Sequence, residues 1–269
     1  MLDSALVSKS HPPPWIFAIT NLPFGVAGGY AFVAMPFFLT KAGMPVETTA
    51  KLGALAMLPS AYQLFWAPVI DLGIRRRAWL VLVSVLSGIC LEYSLLVNPM
   101  SDLVTFEILM VAGQLLAGLV ASCNGALVST SLPDHLRGKA AGWVNAGNLG
   151  ASALGGGVIM SLHQVEIPLG DQHVLALAPV ALALMMILPA LAALAIEEPP
   201  PSRVPLGAHF REMAADVWQA VRARKGWTGI LFCISPVGTA ALTNILSSLG
   251  ADYHASDNMV VLVTIVVMY

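Results

Sequence analysis

Residues Ile108–Leu132 read ILMVAGQLLAGLVASCNGALVSTSL, 25 positions without one Asp, Glu, Lys, Arg or His. As a helix this run rises about 37 Å, more than the roughly 30 Å of a bilayer's hydrocarbon core. Similar uncharged runs stand at Trp15–Leu39, Leu52–Ile70, Ala140–Leu162, Val174–Ile196 and Gly226–Ala251, and Ala78–Asn98 joins them with Glu92 as its single charge. These runs show neither the 3.6-residue nor the 2-residue period of half-buried elements in a soluble fold. Over 269 residues the charged fraction is 10% and the hydrophobic fraction 57%, against about a quarter charged in a soluble domain. Lipid is therefore the solvent, and the fold class is an all-α membrane protein with seven complete transmembrane helices. An eighth begins at Met259 and reaches Tyr269 after about 17 Å of helix, half a bilayer core, so the chain is expected to be part of a longer protein.

The positive charges alternate between the two sides. Lys9, Arg75, Arg76, Arg77, Arg137, Lys139, Arg203, Arg211, Arg222, Arg224 and Lys225 lie on one side, and only Lys41 and Lys51 on the other. Because cytoplasmic loops retain Lys and Arg, the amino terminus is expected in the cytoplasm, with the chain in a bacterial inner membrane. The run after Pro12-Pro13-Pro14 is too long for a signal-peptide core and stays in the mature protein. Expected boundaries are a tail at 1–14, a six-helix half at 15–196, a linker at 197–225 and the start of a second half at 226–269. The linker opens with Glu197-Glu198-Pro199-Pro200-Pro201, a stiff connector. Phe210, Met213, Ala214, Val217 and Val221 then recur at helical spacing among charges, as in an amphipathic helix lying on the membrane surface. Pro23-Phe-Gly25-Val-Ala27 is echoed by Pro236-Val-Gly238-Thr-Ala240, which suits repeated six-helix units.

Net charge is −2 and no basic stripe carries interleaved aromatics, so nucleic acid is excluded as a partner. Cys90, Cys123 and Cys233 lie inside apolar runs without ligand spacing and read as packing residues, and His135 reads as a solvated loop histidine. No metal and no cofactor is expected. An enzyme would need paired carboxylates, a His cluster or a nucleophile–base pair at depth, and none is present.

After the second run the chain reads Leu64-Phe-Trp66-Ala67-Pro68-Val-Ile-Asp71-Leu-Gly73-Ile74-Arg75-Arg76-Arg77. This resembles the Gly-x-x-x-Asp-x-x-Gly-Arg-Arg loop signature of the major facilitator superfamily. Asp71, Arg75 and Arg76 match it, Ala67 and Ile74 stand where the family has Gly, and Trp66-Ala67-Pro68 is similar to the lead-in of the muropeptide permease and acetyl-coenzyme A transporter branch. Leu132-Pro133-Asp134-His135-Leu136-Arg137-Gly138-Lys139 looks like the family's Arg-Gly turn. The resemblance covers the whole chain, as a first half and the start of a second. It implies a twelve-helix secondary transporter working by alternating access, with Asp71, Arg75, Arg76, Arg137 and Gly138 in gating loops. The implied cargo is a small polar or amphipathic solute: a peptide, an amino-sugar peptide or an acyl-coenzyme A-like molecule. A carboxylate beside three guanidiniums can bind a neighbouring helix terminus in one state only, as a latch.

Gly138, Gly142, Gly147, Gly150 and Gly155-Gly156-Gly157 in the fifth run allow close helix approach or sliding. Polar residues at membrane depth are costly and become site candidates. Asn21, Tyr30, Gln63, Gln114, Asn124, Asn145, Asn148, Thr239 and Asn244 lie near the middles of runs whose counterparts line the family's central cavity. From them Asn21, Tyr30, Gln63, Gln114, Asn148 and Asn244 are taken as substrate-binding, and Glu92 as the proton-coupling candidate. The rival reading is a non-transporting membrane receptor or scaffold.

Overall fold

A computed structural model describes residues 11–71, 73–163, 165–168 and 174–198, with isolated positions at 215, 219, 222, 223 and 259. The expected amphipathic linker helix, the run 226–251, the eighth helix and Asn244 fall outside the described residues.

Six helical rods stand side by side among the described residues. The first starts after the triple proline, where the Ile16 amide donates to Pro13 O at 3.0 Å. It runs as α1 (Ile16–Gly29), passes through a π turn (Tyr30–Ala34) and continues as α2 (Met35–Lys41). Pro36 has no amide to give the ladder, and the wider π turn just before it absorbs the mismatch. Gly43, at φ 84°, turns the chain into the second rod.

That rod is expected over Leu52–Ile70, but α3 (Val46–Ala61) starts a turn and a half earlier. It opens behind Pro45, with Glu47 complementing the helix dipole in the first turn. It then breaks at Tyr62 (φ −104°, ψ 14°), three residues after Pro59 removes a ladder donor. A short α4 (Gln63–Trp66) and a 3-10 turn (Ala67–Asp71) complete it.

The third rod is α5 (Arg76–Leu96). The fourth, α6 (Leu103–Ser131), is capped by Asp102, whose carboxylate accepts the Thr105 amide at 3.1 Å. The fifth is α7 (Asp134–Leu162), opening behind Pro133. The sixth is α8 (Leu177–Leu191), closed by a 3-10 turn at Ala192–Ala195. One correction to the expected helix boundaries lies between the last two. Residues expected to open the sixth span instead form β2 (Val174–Ala176), antiparallel to β1 (Glu166–Pro168). Both strands carry β-branched or Pro residues at a rod end, where pairing the two segments satisfies their amides.

By length and composition four rods can cross a membrane: Ile16–Lys41, Arg76–Leu96, Leu103–Ser131 and Leu177–Ala195. The first is the central one. In its most apolar window 67% of residues are buried, against 33% in the sixth rod, and it packs on the third, fourth, fifth and sixth. Its seam with α7 is built on glycine. A Cβ on Gly29 would overlap Ser152 O, and one on Gly147 would stand 2.6 Å from Ala18 O. Gly138, Gly142 and Gly150 face open space, so the expected close approach is made by only part of the glycine series.

Candidate functional site

At mid-depth, the polar residues of the fourth rod are bonded to the backbone and side chains of the first. Gln114 is 3% exposed, and its Nε2 donates to Ala27 O at 2.9 Å. Asn124 Nδ2 donates to Phe17 O at 3.1 Å, while its Oδ1 accepts Thr20 Oγ1 at 2.7 Å. The second rod is tied to the fourth where it breaks: Gln63 Nε2 donates to Gly118 O at 2.8 Å and to Ser122 Oγ at 2.6 Å. Each such bond joins two rods and contributes on the order of 1 kcal/mol in lipid.

Asn21 differs. It is buried on the α1–α7 seam, its Nδ2 reaches Val144 O only at 3.5 Å, and its Oδ1 has no partner among the described residues. One turn further along that seam, the Asn148 carbonyl abuts Gly25 and the Asn148 side chain is half-buried. A buried amide oxygen without a donor costs about 1–3 kcal/mol, and a solute hydroxyl or amide would relieve it. Trp66 Nε1 and Ser84 Oγ are likewise buried without partners. Asn145 is exposed and Glu92 half-buried. Tyr30 lies elsewhere, with its hydroxyl 2.8 Å from Ser94 Oγ on the third rod. Asn21 and Asn148 thus share a seam, whereas Gln63, Gln114 and Tyr30 each engage a different neighbour.

The arginine-rich end is densely cross-bonded. Asp71 Oδ1 accepts Arg76 Nη2 at 2.6 Å and Nε at 2.7 Å, so the second rod is held to the third. Arg77 Nη1 donates to Leu194 O at 3.3 Å and Ile196 O at 3.2 Å, capping the sixth rod. Arg137 does the same for the fourth, through Leu132 O at 3.1 Å and Ser129 O at 2.6 Å, and pairs with Asp134 at 2.7 Å. Arg75 and Gly138 are exposed.

Sequence reasoning missed Glu198. Its Oε1 accepts the Arg76 amide at 3.0 Å and its Oε2 the Arg77 amide at 3.3 Å, which caps α5 from across the bundle. The signal was present: three arginines at a helix N-terminus oppose the dipole and call for a carboxylate.

The sequence matches the family model "Major Facilitator Superfamily" over residues 17–269. The chain belongs to the Major Facilitator Superfamily. With that membership and its long apolar helices it is an integral, multi-pass membrane protein. No curated protein sequence matches it. Among solved structures, a D-xylose-proton symporter superposes with a TM-score of 0.62 at 15% identity, over 95% of this chain and 65% of that one. The xylose transporter XylE from E. coli, in an inward-open conformation, gives a TM-score of 0.45 at 16% identity, over 89% of this chain and 56% of that one. The chain therefore spans about 65% of the length of the first of these. At such identity the first likeness speaks for the fold alone.

Proposed function

We propose that this superfamily chain forms part of a secondary transporter that carries a small polar or amphipathic solute by alternating access. The observation that carries this reading is the unpartnered Asn21 Oδ1, buried on the glycine-built seam between the first and fifth rods. A seam of near-touching backbones lets two rods slide or rotate without repacking large side chains. A buried acceptor on it binds a donor-bearing solute in one arrangement and releases it in another. Asn148 is the second contact on that seam. Tyr30, Gln63, Gln114 and Asn244 remain proposed substrate residues, the first three through bonds that would have to exchange for solute.

At the arginine-rich end the Asp71–Arg76 pair, with Arg75, Arg137 and Gly138, serves as the gating element. Glu198 joins it, because the same first turn of α5 holds the second rod and the start of the linker. Several groups in one network are worth more than isolated surface pairs of about 0–1 kcal/mol. The Trp66-Ala67-Pro68 lead-in favours the muropeptide permease and acetyl-coenzyme A transporter branch, hence a peptide, amino-sugar peptide or acyl-coenzyme A-like cargo. Glu92 is the proposed proton carrier. The skew of Lys and Arg supports a cytoplasmic amino terminus, and the proposed location is a bacterial inner membrane.

The test is uptake into proteoliposomes containing the full chain, with small peptides, amino-sugar peptides and acyl-coenzyme A, with and without a proton gradient. Flux reduced at least about tenfold by Asn21→Ala, as expected where a group made for a hydrogen bond is removed from a transport cycle, supports the assignment. Ligand binding without flux for any cargo replaces it with a receptor.

A further inference from the structure

A cavity of about 130 Å³ lies at the end opposite the arginines, between the first, third and fourth rods and the end of the fifth. Met35, Phe38, Leu39 and Phe106 wall it with apolar and aromatic surface. Its polar groups are few. Tyr30 and Ser94 both line the space and their hydroxyls are 2.8 Å apart; Ser94 Oγ donates to Leu91 O at 2.7 Å, so it accepts from Tyr30. The His163 ring stacks on Phe38 with centroids 4.0 Å apart. Burial, and secondarily the Lys41 ammonium, push the His163 pKa below the ordinary histidine value. Lys41 itself sits over Phe37, 5.6 Å from the ring centroid. Among the described residues the lining thus presents no carboxylate and no cation, but offers aromatic faces and the Tyr30 hydroxyl oxygen as an acceptor.

We propose that this cavity is a ligand site, separate from the Asn21–Asn148 seam, for a neutral single-ring molecule carrying one hydrogen-bonding group, the chemistry of a phenol. Size supports the class, since an apolar cavity of about 150 Å³ stays dry and takes benzene. Wall chemistry supports it too: Met35 adapts its shape to a ring, and Phe38 and Phe106 give edge or face contacts. The Tyr30 hydroxyl sets the polar group: Ser94 Oγ donates to Leu91 O at 2.7 Å, so Tyr30 donates to Ser94 and its oxygen keeps a lone pair to accept a guest O–H. An ionised guest would lose hydration without meeting an opposite charge. The occupant would sit beside the π turn at Tyr30–Ala34, where the helix ladder already departs from regularity. Filling the space therefore stiffens the first rod against the third.

The experiment is fluorine NMR of 4-fluorophenol with the full chain in lipid nanodiscs, against empty nanodiscs, with unlabelled phenol as competitor. Saturable, displaceable broadening is expected, weakened about fivefold by Tyr30→Phe, the equivalent of one neutral hydrogen bond of about 1 kcal/mol. Val97→Phe and Ala42→Leu, two cavity-lining positions, should each abolish it by filling the space, and Ala42→Leu serves where Val97→Phe does not fold. Broadening that never saturates, or that both filling variants leave unchanged, means partition into lipid and overturns the proposal. Because binding is read without flux, this outcome is independent of whether the protein transports anything.

Discussion

The two ends of the bundle are held together by different physics. At the arginine-rich end, Asp71, Arg76, Arg77 and Glu198 join the second, third and sixth rods, and Arg137 joins the fifth to the fourth, through charge-assisted bonds to helix termini. At the opposite end a ring stack and a pair of hydroxyl-bearing residues border a cavity. The difference shows where each kind of contact is useful. Charged bonds with few alternatives make a two-state fastening, while loose apolar packing around a π turn leaves room for the first rod to adjust. The glycine seam between α1 and α7 lies between these ends and connects them.

Breaking the connection should have the largest effect. Gly29→Val drives a side chain into the Ser152 carbonyl, where backbone cannot yield. A cost of about 3 kcal/mol or more is expected, seen as loss of the monodisperse detergent-solubilised protein. Next comes the arginine-rich end. Glu198→Ala leaves the Arg76 and Arg77 amides uncapped beside two guanidiniums. The expected loss is about 1–2 kcal/mol, read as a lower midpoint in thermal unfolding, with Glu198→Gln retaining part of it. If Glu198→Ala melts like the parent, the charged end is not a fastening.

A smaller effect is expected opposite. Ser94→Ala strips the buried Tyr30 hydroxyl of its partner, at about 1 kcal/mol. The adjacent Tyr30→Phe in the same background should recover most of that loss. Smallest is the pH response of the Phe38–His163 stack. The folded-state pKa of His163 is depressed, so its contribution is present above the unfolded histidine pKa and is lost as pH falls through the lower folded value. Thermal midpoints at pH 7.5 and 5.5 should differ slightly more for the parent than for His163→Gln. Equal differences would remove the stack from the account.

Much of the fold could be read along the chain. The runs at Trp15–Leu39, Ala78–Asn98, Ile108–Leu132 and Ala140–Leu162 each coincide with a helical rod, because length and apolarity in lipid are local properties. The second and sixth runs were misplaced at their ends. The second rod starts ahead of its run at Val46 and breaks at Tyr62, and Val174–Ala176 finds a strand partner six to ten positions upstream. Asp71 with Arg76 was legible as a short-range pair. Glu198 was not, since its bond to the Arg76 amide spans 122 positions.

By itself, then, the sequence determined that the chain lives in lipid, where its helices run and which end gathers the positive charge, since each follows from transfer free energies counted residue by residue. Only the tertiary structure decided which polar side chains are spent and which are left over. Gln114 and Asn124 bond to the first rod's carbonyls, Tyr30 turns to Ser94, and Asn21 keeps a bare oxygen. The reason is that a hydrogen bond in lipid is fixed by which two helices touch and at what register, and those depend on the whole bundle rather than on any one of its helices.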